Sequence, residues 1–369
     1  MIDKKLIKNI DFVLLICIYI VSAIGLIAIS SATHVQESGS YSSVIKQALS
    51  LAIGTVAFIV MISFDYSYLS AYSKYIYIFN IIILLMVWVA GIGHQSKGAQ
   101  SWIALGFLNF QPSEFAKVAI IISLSKFLAD RDGPLDNAHD VLMVLLNVGI
   151  PFILIFIQPD LGTALVFAAV TIGMLLIYGV DFKWILAGGA TLAVSMPIIW
   201  FYALEPHQKN RIITFLNPSL DPLKTGYHAI QSKIAVGSGM LTGRGLYNGT
   251  QTQLNFLPEA RTDFIFSVVG EELGFVGAAT IVLLYFIILY RIIRIAMKAK
   301  DKFGMYLCVG VASMFLFQIF ENIGMTIGLM PITGITLPFM SYGGSSLLAN
   351  MISLGMVINV GMRKQKINF

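Results

Sequence analysis

The stretch FLPEARTDFIFSVVGEELGFVG, residues 256–277, decides how the rest of the chain is interpreted. It has the apolar character of a membrane-spanning helix, yet it contains four carboxylates, Glu259, Asp263, Glu271 and Glu272. A charge near the centre of a membrane helix costs about 2.5–3.5 kcal/mol on insertion scales. Charged residues in such a segment are therefore candidates for function.

One face of this segment is polar and lined by small residues. At about 100° per residue, Ser267 and Glu271 lie within roughly 80° of Asp263, whereas Glu272 points away and has no evident partner. Membrane helices pack closely, or border a cavity, along faces that are lined by small residues. Asp263 and Glu271 are therefore predicted to face the interior of a helix bundle. With Thr262 as N-cap, helix capping alone is the alternative role for Asp263.

The composition is that of an integral membrane protein. Of 369 residues, 57% are hydrophobic and 12% are charged, against about 25% charged residues in soluble proteins. The apolar runs have the length of membrane helices and do not alternate as barrel strands do. We predict one all-α, polytopic membrane domain over residues 1–369, a bundle of about ten transmembrane helices. The predicted spans are 12–30, 44–63, 75–92, 112–128, 141–157, 163–180, 184–203, 264–290, 304–327 and 343–361.

Lysine and arginine predict the orientation of the bundle. They crowd the loops on the side of both termini, with Lys8, Lys183 and Lys300 as examples, whereas the short opposite loops contain only Lys46 and Lys97. Such an excess marks the cytoplasmic side, so both termini are predicted to be cytoplasmic. The long loop 204–263, between the seventh and eighth spans, is then extracellular and is predicted to form short interfacial or re-entrant elements on the bundle.

Three further charged residues lie in or beside apolar spans. Glu114 and Lys117 are three residues apart on one helix face, as substrate-binding residues or as a structural ion pair. Asp160 lies in the tight connection Gln158–Gly162 between two spans, either at a site on the outer surface or simply as a turn residue.

The long loop and the last span add cations and hydroxyls. Arg211 and Lys233 lie in the long loop, which leads to the carboxylates Glu259 and Asp263 at the start of the next span. Opposed charges are therefore predicted to gather near one membrane face, a pattern suited to an anionic, lipid-borne substrate. Glycines and hydroxyls open the last span, where free N–H groups can bind phosphate or the glycines can serve helix packing. Ser341 and Ser345 are the hydroxyl residues predicted to bind substrate there.

Six motifs in order along the chain resemble the SEDS family (shape, elongation, division and sporulation). They are QPSEFAK at 111–117, QPDLGTA at 158–164, NRIITFLNP at 210–218, GYHAIQSKIAVGSG at 226–239, FLPEARTDFIFSVVGEELG at 256–274, and GLMPITGITLPFMSYGGSS at 328–346. The motif sequences are most similar to those of the rod-shape-determining members, with the division and sporulation members as alternatives.

The resemblance implies a ten-span peptidoglycan glycosyltransferase of the bacterial cytoplasmic membrane. Members of the family polymerise lipid II, an undecaprenyl-pyrophosphate-linked disaccharide-pentapeptide, at the outer face of that membrane. They work with a class B penicillin-binding protein, which is the transpeptidase, within the elongation machinery. No nucleic-acid partner is expected.

The resemblance also assigns roles to residues. The family's essential aspartate falls at Asp263, which we interpret as the general base that deprotonates the acceptor hydroxyl. Lys117 and Arg211 are predicted to contact the pyrophosphate, with Glu114 orienting Lys117. Many relatives have arginine just before the tryptophan of the outer loop, whereas this chain has Ser101 before Trp102, so a phosphate contact there is in doubt.

No tightly bound cofactor is expected. A divalent cation, Mg²⁺ or Mn²⁺, would suit the pyrophosphate, although no His or Cys spacing forms a dedicated metal site. The rival class is a flippase for a lipid-linked precursor, for which Glu271 and Glu321 would line a translocation path deeper in the membrane. A non-enzymatic scaffold is the third class, and it gives the buried charges no task.

The predicted orientation can be tested with single cysteines. Cysteine at Ser219 should react with an impermeant thiol reagent on intact cells, because the long loop is predicted to be extracellular. Cysteine at Lys300 should be protected under the same conditions, and its labelling in unbroken cells would invert the topology.

Overall fold

A computed structural model describes most of the chain, including every predicted span except a few terminal residues. The described residues are 4–35, 40–90, 93–96, 99–105, 108–131, 133, 135, 138–158, 160–221 and 225–363. Lys97, which entered the charge count of the outer loops, lies outside them.

The described chain is dominated by helices. In chain order they are α1 (Lys4–Ile7), α2 (Phe12–Thr33), α3 (Ser42–Ser63), α4 (Ser67–Ala71), α5 (Ser73–Ala90), α6 (Pro112–Ala129), α7 (Ala138–Ile157), α8 (Leu161–Tyr178), α9 (Phe182–Ile198), α10 (Pro206–Leu216), α11 (Thr225–Ser238), α12 (Thr250–Gln253), α13 (Ile265–Met297), α14 (Lys302–Ile327) and α15 (Gly344–Met362). A π-helical turn, Ile199–Ala203, extends α9, and a 3₁₀ turn, Pro218–Leu220, follows α10.

The helices confirm the prediction of an all-α polytopic membrane protein. Within the described residues, eight helices are long and apolar enough to cross a membrane: α2, α3, α7, α8, α9 with its π turn, α13, α14 and α15. The two other predicted spans are also helical. They are α5, which is a shorter apolar helix, and α6, which contains Glu114, Lys117 and Lys126.

Burial distinguishes central from peripheral helices. Nearly every residue of α15 is buried, and α14 and α6 are largely buried beside it. None of the described residues of α9 is buried. The short connections make successive long helices antiparallel. We call the end where α6, α8, α13 and α15 begin the site end, and the end where α2, α5, α9 and α14 begin the basic end.

A small sheet at the site end is the main addition to the predicted helices. Strands β1 (Gly93–Ser96), β2 (Ala99–Leu105) and β3 (Leu108–Phe110) form an antiparallel meander between α5 and α6. The stretch lies between two predicted spans and has no long apolar run, so the sequence predicted only a loop there.

The long loop contains the helices α10, α11 and α12. Helix α11 packs on α13 and α14 through the buried Ser232. The Ser232 hydroxyl donates to the carbonyl of Thr326 at 2.7 Å and lies 2.7 Å from the hydroxyl of Ser267. The long loop is therefore fixed to the bundle by hydrogen bonds with no exposure to water.

Helix α13 is interrupted at Gly274, which corrects the prediction of one continuous helix over 264–290. Gly274 has φ 63° and ψ −161°, outside the helical range. We call the half of α13 at the site end, from Ile265 to the interruption, its outer half, and the half towards the basic end its inner half. The outer half is enclosed by protein on nearly all sides, whereas the inner half has many exposed apolar side chains. The inner half, 275–297, is about 34 Å long at 1.5 Å per residue, enough to cross a bilayer by itself.

The loop segment 240–245 supplies hydrogen-bond partners to the interruption. In a continuous helix the amides of residues 275 and 276 would bond to the carbonyls of 271 and 272. Here the same four groups bond to the loop segment, with Phe275 N to Met240 O at 2.8 Å, Val276 N to Leu241 O at 3.1 Å, Arg244 N to Glu271 O at 3.0 Å, and Gly245 N to Glu272 O at 3.0 Å. Backbone irregularity inside a membrane protein survives only when such partners are present.

Glycine makes this close approach of two backbones geometrically feasible. A β-carbon on Gly274 would lie 2.3 Å from the amide nitrogen of Gly243, and one on Gly243 would lie 2.1 Å from the carbonyl oxygen of Glu272. Neither position tolerates a larger residue without displacing backbone.

The interruption also accounts for the two carboxylates beside it. Glu272, which had no evident partner in the sequence, accepts hydrogen bonds from Ser31 Oγ at 2.5 Å and Gln253 Nε2 at 3.4 Å. Glu271 accepts from the backbone amides of Gln251 and Thr252 at 2.7 and 3.1 Å. The two carboxylates therefore hold α12 and the end of α2 against α13.

Substitution of Gly274 by alanine should destabilise the fold strongly. The β-carbon would meet backbone at 2.3 Å, and a non-glycine residue at this φ and ψ costs about 1–3 kcal/mol more. We expect a loss of about 2–4 kcal/mol, measured as a lower midpoint of thermal unfolding of the purified protein in detergent.

Gly149→Ala is the matched control, because Gly149 lies within α7 and a β-carbon there meets nothing within 4 Å. It should leave the midpoint unchanged or raise it slightly. Equal midpoints for the two variants would mean that the interruption does not require glycine.

Candidate active site

Asp263 is held by its own backbone and that of the two residues before it. Three consecutive carbonyls accept hydrogen bonds from α14 and from the loop 328–343 that leads to α15. They are Arg261 O from Tyr342 N at 2.9 Å, Thr262 O from Ser341 Oγ at 2.7 Å, and Asp263 O from Asn322 Nδ2 at 3.0 Å. The residue preceding α13 is Phe264, which makes no side-chain cap, so the predicted N-cap role of Thr262 is wrong.

Asn322 joins Asp263 to the loop 328–343. Its amide nitrogen donates both to Asp263 O and, at 2.8 Å, to the carbonyl of Ile335. Beside Ile335, a β-carbon on Gly334 would lie 3.7 Å from Oδ2 of Asp263. The absence of a side chain at Gly334 keeps the carboxylate accessible from this direction, and Asp263 is half-buried.

Arg211 of α10 is the cation that the structure associates with Asp263. Its guanidinium donates to the carbonyl of Thr333 at 3.1 Å. Burial lowers the pKa of Arg211, and the negative charges of Asp263 and Asp160 oppose that shift. Arginine remains protonated in proteins, so the site end contains a fixed positive charge within the field of two carboxylates.

Asp160 is the N-cap of α8. It therefore has the structural role of a residue in the connection between two helices, which was one of the two predicted roles. It accepts from the amide and hydroxyl of Thr163 at 3.0 and 2.8 Å. Its Oδ2 also accepts from Ser113 Oγ at 3.1 Å and from Gln111 Nε2 at 3.5 Å. The two motifs QPSE and QPD are therefore in direct contact, and the N-termini of α6 and α8 lie side by side.

Glu114 and Lys117 form an ion pair in the first turns of α6. Lys117 Nζ lies 2.8 Å from Glu114 Oε2, and both side chains are at least 92% buried. Lys117 lies one helical turn beyond Ser113, which bonds to Asp160. The pair is thus adjacent to the cluster of Asp160, Arg211 and Asp263, buried just below it.

Three other predicted residues border this cluster. Ser341 holds the backbone of Thr262 and also accepts from the amide of Leu337 at 2.9 Å. Ser345 accepts from the amide of Gln111 at 3.1 Å and so links α15 to α6. Lys233 of α11 packs over Gly328 at the end of α14 and lines, with Arg211, a small cavity under α10.

The remaining predicted residues lie apart from the cluster or are only partly described. Glu259 is exposed, and its carboxylate accepts from Thr262 Oγ1 at 3.2 Å. Glu271 is buried under α12, bonded as described above. Trp102 lies in β2, where it pairs with His94, and its side chain is outside the described residues.

The fit of a divalent cation depends on the substrate. Within the described residues, no group of three His, Cys, Asp or Glu side chains is arranged to hold a metal ion. Asp160 and Asp263 could each offer a carboxylate oxygen, and the substrate's phosphates would have to complete the coordination. The cation stays a prediction.

Sequence reasoning missed two residues that organise the site. Asn322 is fully buried, and Thr333 donates its hydroxyl to the buried carboxylate of Glu321 at 2.9 Å while its carbonyl accepts from Arg211. Asn322 could have been noticed because it is a polar residue next to Glu321 inside an apolar span. A polar side chain within a membrane helix costs free energy and therefore has hydrogen-bond partners in the protein. Nothing in the sequence indicated which backbone carbonyls the amide would reach.

The fold and the site define a class: a polytopic helical membrane protein with a charged, enclosed site at one end of its bundle. A family model described as "Cell cycle protein" and named for FtsW, RodA and SpoVE matches residues 11–366. The chain belongs to this family, which the sequence motifs had indicated as SEDS.

Relatives of the chain are similar over most of its length. Peptidoglycan glycosyltransferase MrdB of Escherichia coli K12 is 38% identical over 318 residues, which cover 86% of this chain and 85% of MrdB. Stage V sporulation protein E of Bacillus subtilis 168 is 37% identical over 355 residues, covering 95% and 96% of the two chains.

Two solved structures share the fold. The rod shape determining protein RodA of Thermus thermophilus has a TM-score of 0.73 and 27% identity, covering 97% of this chain and 98% of its own. A chain from a structure described as "Structural coordination of polymerization and crosslinking by a peptidoglycan synthase complex" has a TM-score of 0.82 and 29% identity, covering 95% and 97%.

The pair Glu114–Lys117 can be tested by double substitution. If the pair is only structural, Glu114→Gln or Lys117→Met alone should cost about 3–5 kcal/mol of stability, and both together should recover much of it. We expect the double variant to be stable but inactive, because Lys117 is assigned to the substrate. Unfolding in detergent and glycan polymerisation measure the two properties.

The exposed ion pair Lys126–Asp130 on the same helix is the control, with its nitrogen and oxygen 2.6 Å apart. Replacing both partners there should change stability by less than about 1 kcal/mol and leave activity intact. Near-normal polymerisation by the Glu114→Gln, Lys117→Met double variant would remove Lys117 from the site.

Proposed function

We propose that this chain is a peptidoglycan glycosyltransferase that polymerises lipid II into glycan strands during cell elongation and shape maintenance. Relatives named for that activity support the reaction class. The observation that carries the proposal is the position of Asp263: its main chain is held through three consecutive backbone carbonyls, and its carboxylate lies in the field of Arg211.

Asp263 is the general base of the proposed reaction. Glycan extension requires an acceptor 4-hydroxyl to lose its proton as its oxygen attacks the anomeric carbon of the donor. A carboxylate can accept that proton when the hydroxyl is within hydrogen-bond reach. The backbone bonds of residues 261–263 fix the main chain from which the carboxylate extends, which reduces the entropic cost of aligning it with the hydroxyl.

Cations stabilise the leaving pyrophosphate. Arg211 is fixed to Thr333 O and balanced by two carboxylates, so it can bind phosphate without reorganising. Lys117 is oriented by Glu114 and lies one turn below the neighbouring N-termini of α6 and α8. Helix N-termini favour anions, which adds to the positive potential at this end.

The transfer proceeds by one inverting displacement. The donor is α-linked and the product is β-linked, so no covalent sugar–enzyme intermediate is required. The proton of the acceptor hydroxyl goes to Asp263, the new bond forms between the acceptor oxygen and the anomeric carbon, and the bond to the pyrophosphate oxygen breaks on the opposite side of the sugar.

The site end is extracellular in this proposal, and the basic end with both termini is cytoplasmic. The excess of lysine and arginine at the basic end supports that orientation. A class B penicillin-binding protein within the elongation machinery is the proposed partner, in keeping with the structural similarity to a chain of a peptidoglycan synthase complex.

The contacts of the deeper carboxylates favour transfer over translocation. A flippase would need charged groups available along a path through the membrane. Glu271 is bonded to the amides of α12, and Glu321 is bonded to Thr333. Both carboxylates are therefore committed to holding loops that surround the site.

Asp263→Asn should abolish most of the polymerisation. The amide keeps the size of the side chain but cannot accept the hydroxyl proton, and a lost general base lowers rates by about 10²–10⁴-fold. Lipid II binding should be retained, since the pyrophosphate is held by Arg211 and Lys117. Glycan formed from lipid II by the purified variant measures the first property, and retention of labelled lipid II measures the second.

Asp181→Asn is the matched control, because Asp181 caps α9 at the opposite end and asparagine also caps helices. It should polymerise at the wild-type rate. If Asp263→Asn retains more than about a third of that rate, far above the range for a lost base, the base is Asp160 or Glu259 instead.

A further inference from the structure

A second charged cavity lies at the basic end, on the side of the bundle remote from Asp263. It has a volume of about 190 Å³ and lies between the start of α2, the last turns of α13 and the end of α15. Its lining includes Lys8, Asp11, Arg291, Arg294 and Lys298. The proposed transfer reaction gives this cavity no role.

The cavity carries uncompensated positive charge. Arg291 is neutralised by Asp11, whose Oδ2 lies 2.8 Å from Nε and 2.5 Å from an Nη of the guanidinium. Among the lining residues that the structure describes, Asp11 is the one carboxylate, which leaves Lys8, Arg294 and Lys298 in excess. Within the described part of the chain, neither Lys8 nor Lys298 pairs with a carboxylate, and both are exposed. The cavity therefore favours an anion.

The cavity lies where a bilayer meets water. Asp11 is the N-cap of α2, and the next two residues, Phe12 and Val13, are exposed apolar side chains. On α13, Arg294 follows the exposed Ile293, and its guanidinium lies 5.8 Å from the ring centroid of Tyr290. Exposed apolar side chains beside an interfacial tyrosine and arginines mark the headgroup level of a membrane.

The size of the cavity indicates which kind of anion it can bind. Pockets that enclose whole small molecules are roughly 300–1,000 Å³, so a volume of about 190 Å³ suits a headgroup whose remaining parts lie outside. The apolar surface of α2 and α13 beside it offers a place for acyl chains. A soluble acidic peptide would leave that apolar surface unused.

We propose that this cavity binds the phosphate headgroup of an anionic phospholipid from the leaflet at the basic end. Lys8, Arg294 and Lys298 contact the headgroup, and the Asp11–Arg291 pair fixes the junction of α2 and α13 that forms the cavity wall. Basic pockets between membrane helices bind anionic headgroups by the same physics. The proposal is independent of the glycosyltransferase reaction.

The test is lipid binding by the purified full-length protein. Native mass spectrometry in a neutral detergent counts bound dioctanoyl phosphatidylglycerol, with dioctanoyl phosphatidylcholine and inorganic phosphate as the other arms. Lys8→Gln with Lys298→Gln should weaken phosphatidylglycerol binding roughly 10- to 30-fold, because each basic residue near a headgroup contributes measurably. The control, Lys74→Gln with Lys183→Gln, removes two charges at the same end but outside the cavity.

A second measurement separates binding from folding. Phosphatidylglycerol should raise the midpoint of thermal unfolding for the wild type and the control, since a ligand of the folded state stabilises it. The cavity variant should have the wild-type midpoint without lipid and lose the rise with lipid.

Three results would overturn the proposal. An equal loss of phosphatidylglycerol binding in the cavity and control variants would mean that the lipid is attracted by the general positive charge of this end and not by the cavity. Full competition by inorganic phosphate at equal concentration would mean a simple anion site. Binding of polyglutamate in place of phosphatidylglycerol would mean an acidic protein partner.

Discussion

Backbone that leaves a regular helix inside this bundle must find its hydrogen-bond partners in the protein, and two loops meet that requirement. Segment 240–245 serves the interrupted α13, and loop 328–343 together with Asn322 serves the carbonyls before α13. Each unpaired group would cost several kcal/mol in an apolar environment. The outer half of α13 is thus held at both of its ends, and Asp263 is located by the same bonds that keep the fold intact.

This dependence places the site on paired helix ends rather than on a mobile loop. The N-termini of α6 and α8 are joined through Asp160, Ser113 and Gln111, and α15 joins them through Ser345. Arg211 reaches the cluster from α10 and is fixed to Thr333 O. A site supported by rigid elements holds its groups in reactive geometry without rearrangement. This suits the proposed reaction, which needs a base and positively charged groups at fixed positions.

Local patterns predicted the helices and most members of the cluster, because apolar length and charge inside a span are properties of short windows. Glu114, Lys117 and Asp263 were singled out by charge in or beside an apolar span. Asp160 was singled out by the tight connection between two spans, and Arg211 by its place in the long loop. The interruption at Gly274 was not predicted, since its cause is a loop some 30 residues earlier in the sequence that replaces the helical bonds. The helical wheel therefore assigned Glu271 to a bundle-facing site, whereas its acceptors are satisfied by α12. Asn322 was missed because no local pattern shows which backbone carbonyls its amide reaches.

The division of α13 also bears on how the chain enters a membrane during synthesis. The 23-residue segment 275–297 contains neither Asp nor Glu, and its two arginines lie near its last turns. A translocon can therefore release this segment sideways into lipid without submerging Glu271 or Glu272, which avoids an insertion penalty of about 2.5–3.5 kcal/mol for a central charge. In the proposed orientation, the preceding residues remain with the long loop outside the membrane and dock afterwards, when segment 240–245 is already available to receive them.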